Sequence, residues 1–158
     1  MTKESQIVGF RIGREDFGIP IEKVHEIVRP MAITAVPDTP DHIEGVINLR
    51  GKIVPVVDLR KRFGEKQPTG GRKNRIVVAE INDRHVGLLV DAASEVLKIA
   101  PDAIEDPPQA LGDDSSSYIR GVAKFNGRLI ILVDLERIMR AGDLKRVSDI
   151  ADLSATGT

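Results

Sequence analysis

The chain repeats itself, and that repetition constrains its fold more than any other feature. Setting Ile43–Gly64 above Ile119–Arg140, an offset of 76, gives seven identities in 22 pairs, among them Gly45/Gly121, Gly51/Gly127 and Asp58/Asp134. A second match, offset 69, sets Ile7–Val28 above Ile76–Leu97 with five identities, including Gly18/Gly87 and Glu26/Glu95. The offsets differ because Arg29–His42 is answered by the longer Lys98–Tyr118. Two blocks in the same order indicate a duplication with an insertion in the second copy, and a unit near 70 residues is a domain half rather than a solenoid repeat.

Each half reads as strands. Ile and Val total 34 against 11 Leu, and β-branched side chains favour pleated sheets over helices. Gln6–Ile12 alternates, with Val8, Phe10 and Ile12 on one face, and Phe17–Ile21 forms the return strand, where Pro20 suggests a sheet edge. Ile76–Ile81, Asn82-Asp83 and His85–Val90 echo that hairpin. Glu22–Val28 fits either a short helix or an irregular edge. A second hairpin, Glu44–Leu49 with Lys52–Val57, recurs as Arg120–Phe125 with Arg128–Val133. Each ends in an aspartate, Asp58 or Asp134, placed to cap a following helical turn. The expectation is a mainly all-β protein. It has two five-stranded SH3/OB-like barrel halves, short helices and a C-terminal helix from about Asp134 to Asp152, with Ser154–Thr158 frayed.

Composition excludes several function classes. With no cysteine, disulfides, thiolate metal sites and thiol catalysis are absent. Charges balance at 23 basic to 24 acidic residues, so there is no general attraction to nucleic acid or anionic membrane. Aliphatic runs such as Leu129–Val133 fall far short of the roughly 18 residues of a membrane span. Met1–Ser5 lacks the apolar core of a signal peptide, so a cytoplasmic protein is expected. Arg50–Arg75 carries nine basic residues against Asp58 and Glu65, whereas Pro101–Ser117 has five acids and no base; solvated loops account for both.

Catalytic motifs are scarce. His25, His42 and His85 lie far apart in sequence, and neither a G-x-S-x-G elbow nor a phosphate-binding loop occurs. The duplication relates Asp58 to Asp134, and two carboxylates sharing a proton could activate water. Each is followed by Leu and a helix-like segment rather than a Thr/Ser-Gly turn, so capping explains both. The hairpin tips differ more tellingly. Asn126-Gly127 is the preferred pair for a type I′ turn, yet the first copy carries Arg50-Gly51. An arginine there is strained in a type I′ turn and unstrained in a type II turn. A long cation in that frame marks a candidate binding position.

The run Ile43-Glu44-Gly45-Val46-Ile47-Asn48-Leu49-Arg50-Gly51-Lys52-Ile53-Val54-Pro55-Val56-Val57-Asp58-Leu59-Arg60 resembles the signature of the CheW-like coupling proteins of bacterial chemotaxis. Phe17–Ile21, Val24-His25-Glu26-Ile27, Pro37-Asp38-Thr39-Pro40, Val86–Asp91 and Ile130–Asp134 stand where that family carries similar motifs. The resemblance spans about Gln6 to Arg140; His25 departs from the family's common Gln, a change of little weight if that side chain is solvated.

The resemblance implies one domain over residues 5–142, with halves of about 5–70 and 71–142 exchanging strands, and a helical extension over 143–158. It implies no catalysis and no cofactor. It also implies an adaptor that joins the cytoplasmic tip of chemoreceptors to the regulatory domain of the histidine kinase CheA, recruited to membrane-associated arrays. Receptor contact maps onto Val24, Glu26, Gly45, Asn48, Leu49 and Arg50. Kinase contact maps loosely onto the first barrel around Ile33 and Val54, with a weaker contact from the other barrel in rings. The competing reading is an OB- or SH3-like barrel binding nucleic acid through Arg50–Arg75, which predicts steep salt dependence.

Overall fold

The computed structural model describes residues 5–37, 43–62, 73–106 and 118–138. Eleven strands occupy most of the described residues, in agreement with the β-branched composition: β1 (Ser5–Ile12), β2 (Glu15–Pro20), β3 (Val24–Val28), β4 (Ile43–Leu49), β5 (Lys52–Asp58), β6 (Arg75–Ile81), β7 (Arg84–Val90), β8 (Ala92–Ile99), β9 (Ile104–Glu105), β10 (Ile119–Phe125) and β11 (Arg128–Val133). Helical turns at Leu59–Arg62 and Leu135–Ile138 follow β5 and β11, and short 3-10 turns lie at Ile21–Lys23 and Pro101–Ala103.

The strands form two sheets, ordered β3-β6-β7-β5-β4 and β8-β1-β2-β11-β10-β9. The first hairpin of each repeat therefore belongs to the other repeat's barrel: β6–β7 completes the barrel of β3, β4 and β5, and β1–β2 completes that of β8, β10 and β11. Hereafter these are barrel one and barrel two. The joints are parallel and equivalent under the duplication. Val56 pairs with Gly87 between β5 and β7, and Leu132 pairs with Gly18 between β11 and β2. Both glycines are sterically required. A Cβ at Gly87 would stand 2.8 Å from Cγ2 of Ile76 and 3.3 Å from Cγ2 of Val56, and one at Gly18 would collide with Ile7.

Alternation distributes the apolar residues among three cores. Ile76 and Val78 of β6 point into barrel one with Ile47, Leu49, Val54, Val56 and Leu89. Their neighbours Val77, Ala79 and Ile81 face the other way, into a larger core shared with Val8, Phe10, Ile12, Phe17 and Ile19 of the partner hairpin. Barrel two is filled by Ile7, Leu97, Ile99, Ala123, Ile130 and Leu132. The face of β1 read from the sequence thus packs between the barrels, while Ile7 fills the interior of its own.

Two expectations are refined and one is corrected. Glu22–Val28 resolves into the 3-10 turn and the edge strand β3. Asp58 and Asp134 do cap: the backbone N–H of Arg60 donates to Asp58 Oδ1 at 2.9 Å, and that of Glu136 donates to Asp134 Oδ1 at 3.1 Å. Pro20, however, is not on an edge, because β2 lies between β1 and β11. Its missing N–H is tolerated because the parallel pairing with β11 stops at Gly18, two residues earlier. The C-terminal helix beyond Ile138, the tail and His42 lie outside the described residues, as does most of the acidic segment; its described part supplies β9, paired on β10.

Candidate functional site

The tip of the β4–β5 hairpin settles the turn type left open by the sequence. Arg50 has φ 52° and Gly51 φ 87°, both in the left-handed region, as do Asn126 (49°) and Gly127 (76°) in the second copy. Both turns have the positive φ pair of type I′, and Arg50 holds a conformation unfavourable for a residue with a Cβ. Asn48 helps to hold it there: its Oδ1 accepts the Gly51 N–H at 2.8 Å.

The guanidinium of Arg50 then reaches across to β3. Nη1 donates to Glu26 Oε2 at 2.6 Å and Nη2 to Glu26 Oε1 at 2.8 Å. This two-pronged arrangement is the strong geometry for an arginine and a carboxylate. It also has a topological role, because β3 and β4 are the two edges of the five-stranded sheet and the pair bridges them, closing barrel one. Arg50's hydrogen bonds hold the Glu26 carboxyl below its ordinary range, and Glu26 in turn holds the Arg50 guanidinium charged more firmly. The arginine side chain is 73% exposed and the glutamate 20%, so a partner can reach both.

The other residues carried over from the resemblance serve as supports. Leu49 is buried inside barrel one and Val24 is half-buried against the core between the barrels. Gly45, at φ 143°, leaves room for a backbone that crosses it: a Cβ there would overlap the carbonyl of Thr34 and approach Cα of Ala35 to 3.0 Å. That closeness lets Thr34 and Val46 exchange backbone hydrogen bonds of 2.8 and 2.9 Å. Ile33, on the same crossing segment, packs half-buried on the barrel-one core with Val28 and Met31. Val54 does not offer a surface, being 2% exposed with its side chain inside the barrel. The outward-facing position on that strand is its neighbour Ile53, 41% exposed, whose counterpart in the second copy, Leu129, is 60% exposed.

A histidine pair was missed by the sequence reading. His25 and His85 stack with ring centroids 4.5 Å apart and an interplanar angle of 26°. His25 is therefore partly covered by another ring rather than simply solvated. Its position follows from a bulge, since the register of β3 on β6 shifts between Val24 and Glu26. Burial pushes the His85 imidazole below its ordinary pKa, and the nearby positive charges of His25 and Lys52 push the same way.

Among the described residues of the basic stretch, three cations are paired with carboxylates. Arg50 is held by Glu26, Lys61 Nζ lies 2.7 Å from Glu44 Oε1, and Arg60 is buried on Asp58 and Asp91. Residues 63–72 of that stretch lie outside the described ones. Both Asp58 oxygens are engaged by Arg60, through Nε and Nη2 at 3.0 Å each, and Asp134 lies 3.7 Å from Arg137. Each aspartate thus caps a helical turn beside an arginine of its own. Among the described residues no helix is long and apolar enough to cross a membrane.

Comparison with known proteins agrees with this architecture. Residues 6–143 match the family model of the CheW-like domain. The chain is 36% identical to a chemotaxis protein CheW of Helicobacter pylori over 135 residues, covering 85% of this chain and 81% of that one. It is 38% identical to a chemotaxis protein CheW of Rhizobium meliloti over 133 residues, covering 84% and 86%. The crystal structure of the scaffolding protein TtCheW from Thermoanaerobacter tengcongensis superimposes with a TM-score of 0.80 at 40% identity, covering 90% of this chain and 96% of that one. With its doubled barrel and the motif around the β4–β5 turn in place along nearly its whole length, the chain belongs to the CheW-like domain family.

Proposed function

We propose that this chain is a non-enzymatic scaffold of chemotaxis signalling that joins the cytoplasmic tip of chemoreceptors to the histidine kinase CheA, and that the receptor is met at the Glu26–Arg50 bridge. The observation that carries the site assignment is the strained turn. The duplicated second copy uses the unstrained Asn126-Gly127, whereas the first keeps an arginine in left-handed backbone and spends its charge on a half-covered carboxylate. Local strain retained at an exposed position is expected where a side chain has a task beyond folding.

In this reading Glu26, Asn48 and Arg50 form the polar contact surface. Val24, Gly45 and Leu49 shape it from beneath. The kinase meets barrel one on the side of Ile33 and Ile53, the latter replacing Val54 as the contact because it faces outward. Charge of both signs at the bridge sets register and partner choice, and a contact of about 800 Å² per partner is within reach of one barrel face.

The test is a calorimetric titration of the full chain with the CheA regulatory domain and, separately, with a receptor cytoplasmic hairpin. Glu26→Arg should weaken the receptor complex and leave the kinase complex intact. Equal receptor binding by Glu26→Arg and the native chain would exclude the bridge as the receptor site. Failure of the native chain to bind either partner would exclude the adaptor role.

A further inference from the structure

We propose that the stacked His25–His85 pair is a proton-sensitive latch on the Glu26–Arg50 bridge, so that mild acidification releases Arg50 from its carboxylate. The proposal concerns the chain alone and does not depend on which partner uses the bridge.

The geometry couples the two pairs through one atom. Glu26 Oε2 accepts from Arg50 Nη1 at 2.6 Å and also lies 3.5 Å from Nε2 of His25. While His25 is neutral, the carboxylate belongs to the arginine. Once His25 carries a proton, Oε2 has two cationic claimants and the fork loses its exclusive partner. A charge on both rings at once would be strongly repelled at their 4.5 Å spacing.

The charges around the pair come from four elements. Glu26 neighbours His25 on β3, and Glu80 of β6 stands directly opposite His85 of β7 in the antiparallel register. Lys52 and Arg50 approach from the β4–β5 hairpin. Glu80 and Glu26 favour a protonated His85, while burial, His25 and Lys52 oppose it, and burial is the largest of these influences. The ring nitrogen that faces the carboxylate is Nε2 of His25. Among the described residues no set of three His, Asp or Glu side chains is placed to hold a metal ion.

The experiment is an NMR pH titration of the purified full chain between pH ~7.5 and ~5.5, the range in which imidazoles change charge. It follows the Glu26 carboxyl carbon and the hydrogen exchange of the Arg50 guanidinium, in the native chain and in His25→Gln and His85→Gln variants. The expected result is a step in the Glu26 signal that tracks the imidazoles, with several-fold faster exchange at Arg50, and loss of both in His25→Gln. His25 is half exposed on an edge strand, so that variant should fold, and unchanged amide shifts in β1 and β2 of the other barrel verify it. A Glu26 signal flat through the imidazole range would overturn the proposal, as would a step that persists undiminished in both glutamine variants.

Discussion

Arg60 and Glu136 occupy equivalent positions in the two repeats but carry opposite charges, and each is neutralised at a crossing between the barrels. Arg60 Nη1 lies 3.2 Å from Asp91 Oδ1, in the single-residue link between β7 and β8. Glu136 Oε1 lies 3.2 Å from Lys23 Nζ, in the link between β2 and β3. Duplication supplied two similar crossings, and divergence kept an ion pair at each while reversing its sign. The two are not equally consequential. Arg60 and Asp58 are 5% and 1% exposed, whereas the side chains of Lys23 and Glu136 are 44% and 35% exposed. Asp91 also accepts the Gly13 N–H at 2.6 Å, tying the β1–β2 turn to the same cluster.

Arg60→Met should therefore destabilise the fold by about 3–5 kcal/mol, because it leaves the buried Asp58 carboxylate without its cation. Adding Asp58→Asn, which keeps an oxygen for the cap but removes the charge, should recover a large part of that loss. Urea unfolding of the two single variants and the double variant measures it. By contrast Lys23→Met, at the exposed crossing, should cost less than about 1 kcal/mol.

Charge exchange tests the bridge as an interaction surface. Arg50→Glu and Glu26→Arg should each weaken receptor-hairpin binding by at least about tenfold, since a misplaced charge at a contact is repelled by the groups matched to its opposite. The double exchange restores the internal pair but reverses what the partner sees, so it should recover stability without recovering affinity. Recovery of both would mean that the pair acts only in shaping the barrel.

The strained turn makes stability and function separable. Arg50→Asn gives the first copy the Asn-Gly turn of the second; relief of the left-handed strain, about 1 kcal/mol, offsets the loss of the exposed ion pair to Glu26, so the melting temperature should change by less than about 3 °C. Receptor binding should fall in the same variant. Thermal unfolding and calorimetry on one preparation decide both.

Gly45 predicts an indirect effect. Gly45→Ala should destabilise the chain by roughly 2–4 kcal/mol, combining positive-φ strain with a clash against the Thr34 carbonyl. The Thr34–Val46 bridge should open first, so amide exchange at Val46 should accelerate before that of the central strands. Any loss of partner binding in this variant comes from displacement of the crossing segment and not from a missing side-chain contact.

The bridge also has an acid limit. Arg50's hydrogen bonds lower the Glu26 carboxyl below its ordinary 4.5 in the folded state. Its contribution to stability is then complete above pH 4.5 and disappears as pH falls through the lower folded value, because there the unfolded chain binds the proton first. Arg50→Ala should flatten this part of the stability profile. The histidine pair acts in a different window. Burial lowers His85 from 6.5, so the stability it confers is complete above 6.5 and declines as pH falls through its folded value. Denaturant titrations across both ranges separate the two.

Much of this was written in the chain. The repeats, the hairpin limits within two residues, and the capping aspartates follow from local rules of alternation, turn chemistry and helix termini, each of which acts over a few residues. The oddity of Arg50 was visible because its counterpart is Asn126, and the resemblance placed Arg50 and Glu26 on one contact surface. For Val54 the motif names a neighbourhood, while the parity of the strand turns its side chain inward and that of Ile53 outward. His25 and His85 are 60 residues apart, and their stacking depends on both a bulge in β3 and the strand order β3-β6-β7, neither of which alternation encodes.

The exchange of hairpins is implied by the resemblance, but the repeat pattern itself does not encode it and the tertiary structure decides it. The registers Val56–Gly87 and Leu132–Gly18 are equivalent, so the pairing pattern would serve equally well within a repeat or across it. What decides is the connection. Only Asp91 separates β7 from β8, and only Ile21–Lys23 separate β2 from β3. Links this short cannot pass around a barrel to bring the chain back beside its own hairpin, so it steps directly into the neighbouring barrel. The sequence specified the strands and their partners in kind; chain length at two crossings selected which copy supplies them.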